Sequence, residues 1–122
     1  MHLRRWLADH ERHLVDATRF SAQGVRFAWR EKAFQGEVAV LVFVAVPLGC
    51  WLGHTGVERA VLIGSWAHVL VIELLNCAVE AIVDRIGPDQ HVLSGMAKDC
   101  GSAAVCCSVL LAILVWCLVL LA

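Results

Sequence analysis

Three apolar stretches, separated by short polar segments, dominate the pattern of this 122-residue chain. The third, 103–122, carries no charge over 20 residues, about enough to cross a hydrocarbon core of roughly 30 Å. The first is short and contains Pro47, as a buried or re-entrant piece would, yet Trp29 and Trp51 near its ends are typical of interfacial anchors. The pattern therefore predicts three transmembrane helices, at about 38–52, 57–83 and 100–122.

The segment 1–35 has a different pattern, in which apolar side chains are interleaved with arginines. This favours an amphipathic helix lying on the membrane surface. A soluble cap packed on the membrane bundle is the alternative. The apolar positions are Trp6, Leu7, Leu14, Phe20, Val25, Phe27 and Trp29.

Composition and charge support this division. The chain is 60% hydrophobic with a mean hydropathy of +0.73, which indicates a single all-α membrane domain spanning 1–122. Of the ten lysines and arginines, seven precede the first span and two flank the 87–98 linker, leaving Arg59 alone on the other side. The positive-inside rule therefore predicts a cytoplasmic N-terminus and a cytoplasmic linker.

The second apolar stretch contains a stripe of polar residues. At about 100° per residue, Glu73, Asn76, Glu80 and Asp84 fall within roughly 80° of one another on one helix face. Ionisable groups at membrane depth are costly, so they normally face a bundle interior or a wet cavity. The stripe is therefore the first candidate for a functional site.

The residue types in and near the stripe suit a metal and a nucleotide. Mg²⁺ prefers oxygen ligands and is typically held by one or two carboxylates together with substrate phosphates. Glu80 and Asp84 lie near the cytoplasmic end of the second span, where Glu31 also approaches. Lys98 and Asp99, which we expect to open the third span, could contact phosphate, and the backbone N–H groups of a helix start favour anions.

Glu73 lies about two turns deeper than Glu80, or about 10 Å along the helix axis. A carboxylate at this depth is withdrawn from water and suits a general base for a lipid hydroxyl. The residues alone leave a plainer alternative open: hydrogen bonding between helices, or a proton or cation path. The sequence contains neither a GxxxxGK[ST] phosphate loop nor the protein-kinase motifs.

Two ordered motifs carry a family resemblance. The segment 73–87, ELLNCAVEAIVDRIG, and the segment 93–105, LSGMAKDCGSAAV, closely resemble characteristic blocks of the bacterial integral-membrane diacylglycerol kinase family. The resemblance covers about residue 20 to the C-terminus. It implies a homotrimer of three-span subunits in the bacterial inner membrane, with active sites between subunits and no nucleic-acid partner. The implied reaction is phosphorylation of diacylglycerol to phosphatidic acid by ATP with Mg²⁺.

The resemblance also implies roles for individual residues. Glu73 resembles the catalytic base and Asn76 the polar residue beside it, while Glu31 and Glu80 resemble the metal-binding pair. The implied nucleotide contacts, besides that pair, are Asp89, Gln90, His91, Lys98 and Asp99. The implied lipid-side positions, besides Glu73, are Ser21, Trp29, Glu37 and Ser102. The family's N-terminal nucleotide-contacting arginine falls at either Arg12 or His13.

Two alternative functions remain at this point. A kinase of the same fold acting on a polyprenol such as undecaprenol would use the same residues, because no feature of the spans specifies the lipid. A small oligomeric proton or cation channel would use Glu73 and Glu80 to line a pore, but it would not need Lys98 and Asp99.

Overall fold

The computed structural model describes the backbone of residues 2–122 and the side chains of residues 6, 7 and 9–122. Every regular element in that part of the chain is helical. Three of its helices are long and apolar enough to cross a membrane, which confirms the predicted all-α membrane fold with an additional N-terminal helix. The elements are α1 (His2–Ala28), α2 (Lys32–Val40), a π-helical turn (Leu41–Ala45), α3 (Val46–Leu52), α4 (Gly56–Ile86) and α5 (Val92–Leu121).

The N-terminal helix α1 is joined to the bundle at its C-terminal end. Ala28, its last residue, is buried in a small core with Phe34 of α2 and Cys77 of α4. Most other apolar side chains of α1 are exposed, Phe20 and Val25 among them. The buried core fixes the short turn between α1 and α2 against α4, near the polar stripe.

The first span is one continuous helical segment from Lys32 to Leu52 despite Pro47. Proline has no backbone N–H, so the preceding turn loses an ordinary helical hydrogen bond. The backbone widens into the π-helical turn just before it, where the N–H of Val46 donates to the carbonyl of Leu41, five residues back. This local widening keeps the helix continuous, so the segment does not turn back as a re-entrant piece would.

A tight turn at residues 53–55 reverses the chain between α3 and α4. Thr55 caps α4 by accepting a hydrogen bond from the N–H of Glu58 (3.1 Å), and the Glu58 carboxylate accepts one from the N–H of His54 (2.7 Å). These bonds satisfy N–H groups at the start of the helix, as in a capping box. α3 and α4 therefore leave the turn as a closely packed pair.

α4 and α5 form an antiparallel hairpin, which is the main structural unit of the chain. Gly87 ends α4 with a φ of 144°, a conformation that side chains disfavour. His91 caps α5 by accepting a hydrogen bond from the N–H of Leu93 on its Nδ1 atom (3.1 Å). Near the other end of the hairpin, the Trp116 indole donates to the carbonyl of Leu62 (3.0 Å).

The start of α5 differs from the sequence expectation. The helix begins at Val92, so Lys98 lies more than one turn inside it instead of opening it. The cause is the His91 cap, which allows the helix to start directly after the loop. The N–H groups at this helix start consequently belong to residues before Lys98.

Candidate active site

The polar stripe of α4 opens onto the carboxylate cavity, a space of about 390 Å³ between α4, α5 and the start of α2. Two carboxylate residues of the stripe and one from the turn before α2 meet there. Their neighbours are an asparagine, a serine and three small or apolar residues. The cavity is lined by Glu31, Ala33, Glu73, Asn76, Glu80, Ser102, Val105 and Cys106.

Glu73 is the most buried of these carboxylates, with only 5% of its surface exposed. Glu31 and Glu80 line the same cavity. Carboxylates held this close repel one another when ionised, and a proton or a bound cation relieves that repulsion. The cavity is therefore suited to hold a cation and to take up a proton.

Asn76 and Glu80 are joined directly. The side-chain amide of Asn76 donates a hydrogen bond from Nδ2 to Oε1 of Glu80 at 3.2 Å, one helical turn along α4. The other amide atom, Oδ1, is buried and has no hydrogen-bond partner. The Asn76 amide thus fixes the orientation of the Glu80 carboxylate on one side of the cavity.

Glu31 reaches the cavity because of the turn after α1. Its backbone is extended and stands at the N-cap position of α2. Its N–H donates to the carbonyl of Ala28 (2.9 Å), and the amide of Gln35 closes the same turn by donating to the carbonyl of Trp29 (2.7 Å). The buried Ala28 holds this turn against α4, which brings Glu31 and Glu80 to one cavity.

A second cavity, the loop cavity, has a volume of about 530 Å³ and is lined by the end of α4, the 87–91 loop and the start of α5. Asp89, Gln90, His91 and Lys98 all line it, as does Asp84 at the end of the stripe. Lys98 forms an ion pair with Asp84 at 2.8 Å, and 46% of the lysine side chain is exposed. Asp99 is exposed and lines neither this cavity nor the first.

Comparison with known proteins decides the family. Residues 19–120 match the family described as Prokaryotic diacylglycerol kinase. The chain belongs to that family. It is 43% identical to the diacylglycerol kinase of Escherichia coli K12 over 107 residues, which cover 88% of each chain. Its identity to the Haemophilus influenzae diacylglycerol kinase is 44% over 105 residues, covering 85% of this chain and 88% of the relative. The chain is 36% identical to the Pseudomonas aeruginosa diacylglycerol kinase over 110 residues, which cover 90% of this chain and 89% of the relative.

Membership of the prokaryotic diacylglycerol kinase family confirms the resemblance drawn from the two motifs and identifies the chain as a lipid kinase. Together with the three apolar helices, it establishes a multi-pass membrane protein. A kinase family also implies a requirement for a nucleotide and a metal in general. The matched range 19–120 includes both cavities described above.

The residues of the first cavity fit a metal that arrives with phosphate. Among the described residues, no cluster of three or more His, Cys, Asp or Glu side chains is arranged to hold a metal ion by itself. The donors that line the cavity are instead carboxylate oxygens from Glu31, Glu73 and Glu80. Hard oxygen donors suit Mg²⁺, which commonly takes its remaining ligands from water and substrate phosphates.

The predicted lipid-side residues are spread over α1, the turn after it, α2 and α5. Ser21 lines a groove of about 370 Å³ between α1 and α4, and Ser102 lines the carboxylate cavity. Trp29 packs edge-on against Phe34, with 6.3 Å between ring centroids. Glu37 accepts a hydrogen bond on its carbonyl from the Trp66 indole (3.1 Å), and its Oε2 atom is buried without a hydrogen-bond partner.

The two candidates for the N-terminal nucleotide contact, Arg12 and His13, are both exposed on α1. Arg12 lines a shallow depression with Glu11, Val15 and Asp16. The chain as described brings neither residue to the carboxylate cavity or to the loop cavity. Their assignment remains a prediction from the resemblance.

Two features of the site were absent from the sequence expectations. One is the pairing of Asp84 with Lys98 across the hairpin. The other is the close approach of Gly101 to Asn76, which places an α5 glycine against the stripe. An antiparallel pairing of α4 with α5 about the 87–91 loop would have suggested the second contact, because Asn76 and Gly101 lie at nearly the same distance from that loop. It would not have suggested the first, because Asp84 lies much closer to the loop than Lys98 does.

Proposed function

We propose that this chain transfers the γ-phosphate of ATP, bound with Mg²⁺, to the free hydroxyl of 1,2-diacylglycerol and so forms phosphatidic acid. The observation that carries the proposal is the meeting of Glu31, Glu73 and Glu80 in one cavity of a chain that belongs to this kinase family. Phosphoryl transfer requires mainly positioning and neutralisation of charge. A buried base beside two further carboxylates supports both.

Glu73 is proposed as the general base. As the lipid oxygen forms its bond to the γ-phosphorus, the hydroxyl proton passes to the Glu73 carboxylate, and the bond from that phosphorus to the bridging oxygen of ADP breaks. Burial of Glu73 excludes water, which would otherwise compete with the lipid as the phosphate acceptor. Asn76 supports the arrangement through its hydrogen bond to Glu80.

Glu31 and Glu80 are proposed as the protein ligands of the metal. Mg²⁺, when bound, neutralises negative charge on the transferred phosphate and orients it. The loop cavity is proposed for the remainder of the nucleotide, with Asp89, Gln90, His91 and Lys98 as contacts and Asp99 as a further one. Lys98 supports this proposal because it lines that cavity and its side chain is 46% exposed.

The assembly is proposed to be a homotrimer in the bacterial inner membrane, with the N-terminus in the cytoplasm. Seven basic residues before the first span support this orientation. Large apolar side chains on the outer faces of α4 and α5, such as Leu75 and Leu114, are exposed in the single chain and available to lipid or to other subunits. The lipid-side positions proposed are Ser21, Trp29, Glu37 and Ser102.

The test is phosphate transfer from radiolabelled ATP by the purified protein in mixed micelles. Diacylglycerol and undecaprenol are offered side by side, with Mg²⁺ and after its removal by a chelator. We expect metal-dependent labelling of diacylglycerol. Preferential labelling of undecaprenol would keep the mechanism but change the substrate, and labelling of neither lipid by a verified trimer would overturn the proposal.

A further inference from the structure

Gly101 on α5 lies directly against Asn76 on α4. A Cβ atom built on Gly101 would overlap Oδ1 of Asn76 and would stand 3.4 Å from its Cγ atom. Glycine in a helix interior is destabilising relative to alanine. The glycine therefore does not stabilise α5 itself. Its missing side chain instead leaves room for the side chain of Asn76.

The side-chain amide of Asn76 connects the contact with Gly101 to Glu80. Its Oδ1 atom is buried on the Gly101 side, and its Nδ2 atom donates to Oε1 of Glu80 at 3.2 Å. The opposite orientation of the amide would place two oxygens against each other at Glu80, so only this orientation gives a hydrogen bond. Because the amide is planar and rigid, displacement of Oδ1 also displaces the N–H group that holds the carboxylate.

We propose that Gly101 is a positioning residue for the metal-binding carboxylate Glu80, acting through Asn76. This inference rests on the proposed function, in which Glu80 and Glu31 hold the metal of the nucleotide. The absent side chain at 101 lets the Asn76 amide fit between α4 and α5 and hold Glu80 toward the cavity. Groups that orient a metal-binding side chain commonly change metal affinity by about 10- to 100-fold when they are altered.

The central experiment is Gly101→Ala in the full-length protein, reconstituted in micelles. Gly64→Ala is the matched control, since a Cβ at Gly64 on α4 has no atom within 4 Å. Binding of Mn²⁺ with a non-hydrolysable ATP analogue is followed by electron paramagnetic resonance. The KM for MgATP and kcat are measured separately on the same samples.

We expect Gly101→Ala to weaken Mn²⁺ binding by about tenfold or more and to raise the KM for MgATP, while Gly64→Ala leaves both unchanged. Asn76→Ala should weaken binding similarly. The double variant Gly101→Ala with Asn76→Ala should be no weaker than Asn76→Ala alone, because the side chain with which the new methyl group would collide is gone. Wild-type Mn²⁺ binding by Gly101→Ala, or losses that add in the double variant, would overturn the inference.

Glu80→Gln separates this inference from the proposed function. If Glu80→Gln weakens Mn²⁺ binding and Gly101→Ala does not, the inference alone fails. If Glu80→Gln binds Mn²⁺ as the wild type does, the metal assignment and the inference both fail. If the Gly101→Ala protein fails to assemble, the double variant Gly101→Ala with Asn76→Ala decides the question. Recovery of assembly in the double variant would support the contact between residues 76 and 101, and continued failure would overturn the inference.

Discussion

At the scale of single residues, the chemistry depends on where Glu73 lies. Its side chain is buried in the span, and two other carboxylate residues line the same cavity. Burial of a charged group without partners is costly, so such a residue contributes little to stability that an apolar residue could not supply. Its position is explained by the proton transfer proposed for it.

Replacement of Glu73, the proposed base, tests this role. Glu73→Gln preserves the size of the side chain but cannot accept the proton, so we expect kcat to fall by at least about 100-fold while binding of MgATP persists. The measurement is phosphate transfer to diacylglycerol beside nucleotide binding at equilibrium. Glu58→Gln, at the opposite end of α4, is the control and should retain activity. A Glu73→Gln protein with near wild-type kcat would exclude Glu73 as the base.

The side chain of Asn76 lies between Glu80 on its own helix and Gly101 on the neighbouring one. A carboxylate binds a metal well only when it is held in the correct orientation, and the group that would orient the proposed ligand Glu80 is the amide of Asn76, one turn earlier on the same helix. The glycine on the neighbouring helix leaves room for that amide. Small changes in helix packing at this position should therefore alter metal binding.

At the scale of helices, the contact between α3 and α4 depends on Gly49. A Cβ at this position would lie 2.8 Å from Cγ1 of Ile63 and 3.5 Å from Cβ of Leu62. Small residues let membrane helices approach closely, and their van der Waals packing is a principal source of helix association in lipid. The backbone of the first span thus packs directly on α4.

Gly49→Ala tests this contact. The added methyl group forces the helices apart or moves Ile63, so we expect the free energy of unfolding to fall by about 1–3 kcal/mol. Gly36→Ala in the same span, where a Cβ meets nothing within 4 Å, should have little effect. Unfolding by denaturant in micelles, followed by tryptophan fluorescence, gives the comparison.

A second substitution, at Ile63, tests whether contact with this side chain causes the loss of stability. Ile63→Ala removes the atoms that the new methyl group would meet, so Gly49→Ala should cost less in that background than in the wild type. Equal losses in the two backgrounds would mean that Gly49 is needed for another reason.

At the scale of the whole molecule, one chain supplies the proposed base and the proposed metal ligands. Glu31, Glu73 and Glu80 line a single cavity within one chain. Asp99, like the N-terminal candidates Arg12 and His13, is a predicted nucleotide contact that lines neither cavity of its own chain. A shared active site would therefore take its carboxylates from one subunit and further nucleotide contacts from another.

Mixing of inactive subunits tests this arrangement. Mixed assemblies reconstituted from Glu73→Gln and Glu80→Gln chains should stay as inactive as either variant alone, because no single cavity then holds both native carboxylates. Wild-type chains mixed with the Glu73→Gln/Glu80→Gln double variant are the control and should retain activity in proportion to the wild-type share. Clear recovery in the first mixture would show that the two carboxylates act from different subunits.

The sequence by itself determined the features that depend on local periodicity. Hydrophobic length specified three spans, since a helix satisfies its own backbone hydrogen bonds and needs only an apolar surface to lie in lipid. The interleaving of apolar side chains with arginines specified the N-terminal helix. The spacing of Glu73, Asn76 and Glu80 specified one polar face by the helical repeat alone. The motifs specified the family, which the comparison confirmed.

Helix ends and irregular turns were less predictable because single side chains decide them. The His91 cap starts α5 well before Lys98, and the π-helical turn before Pro47 keeps the first span continuous. Neither outcome follows from hydrophobic length. Each depends on which backbone groups find a partner in the folded chain.

Only the tertiary structure decided which residues meet across helices. Periodicity gives the direction of a side chain about its own helix, but the axial offset and separation between helices come from packing. That packing brings Glu31 to the cavity of Glu73 and Glu80, pairs Asp84 with Lys98, and sets Gly101 against Asn76. The stripe on one helix was legible in the sequence, whereas the enclosure of that stripe required the folded arrangement of the others.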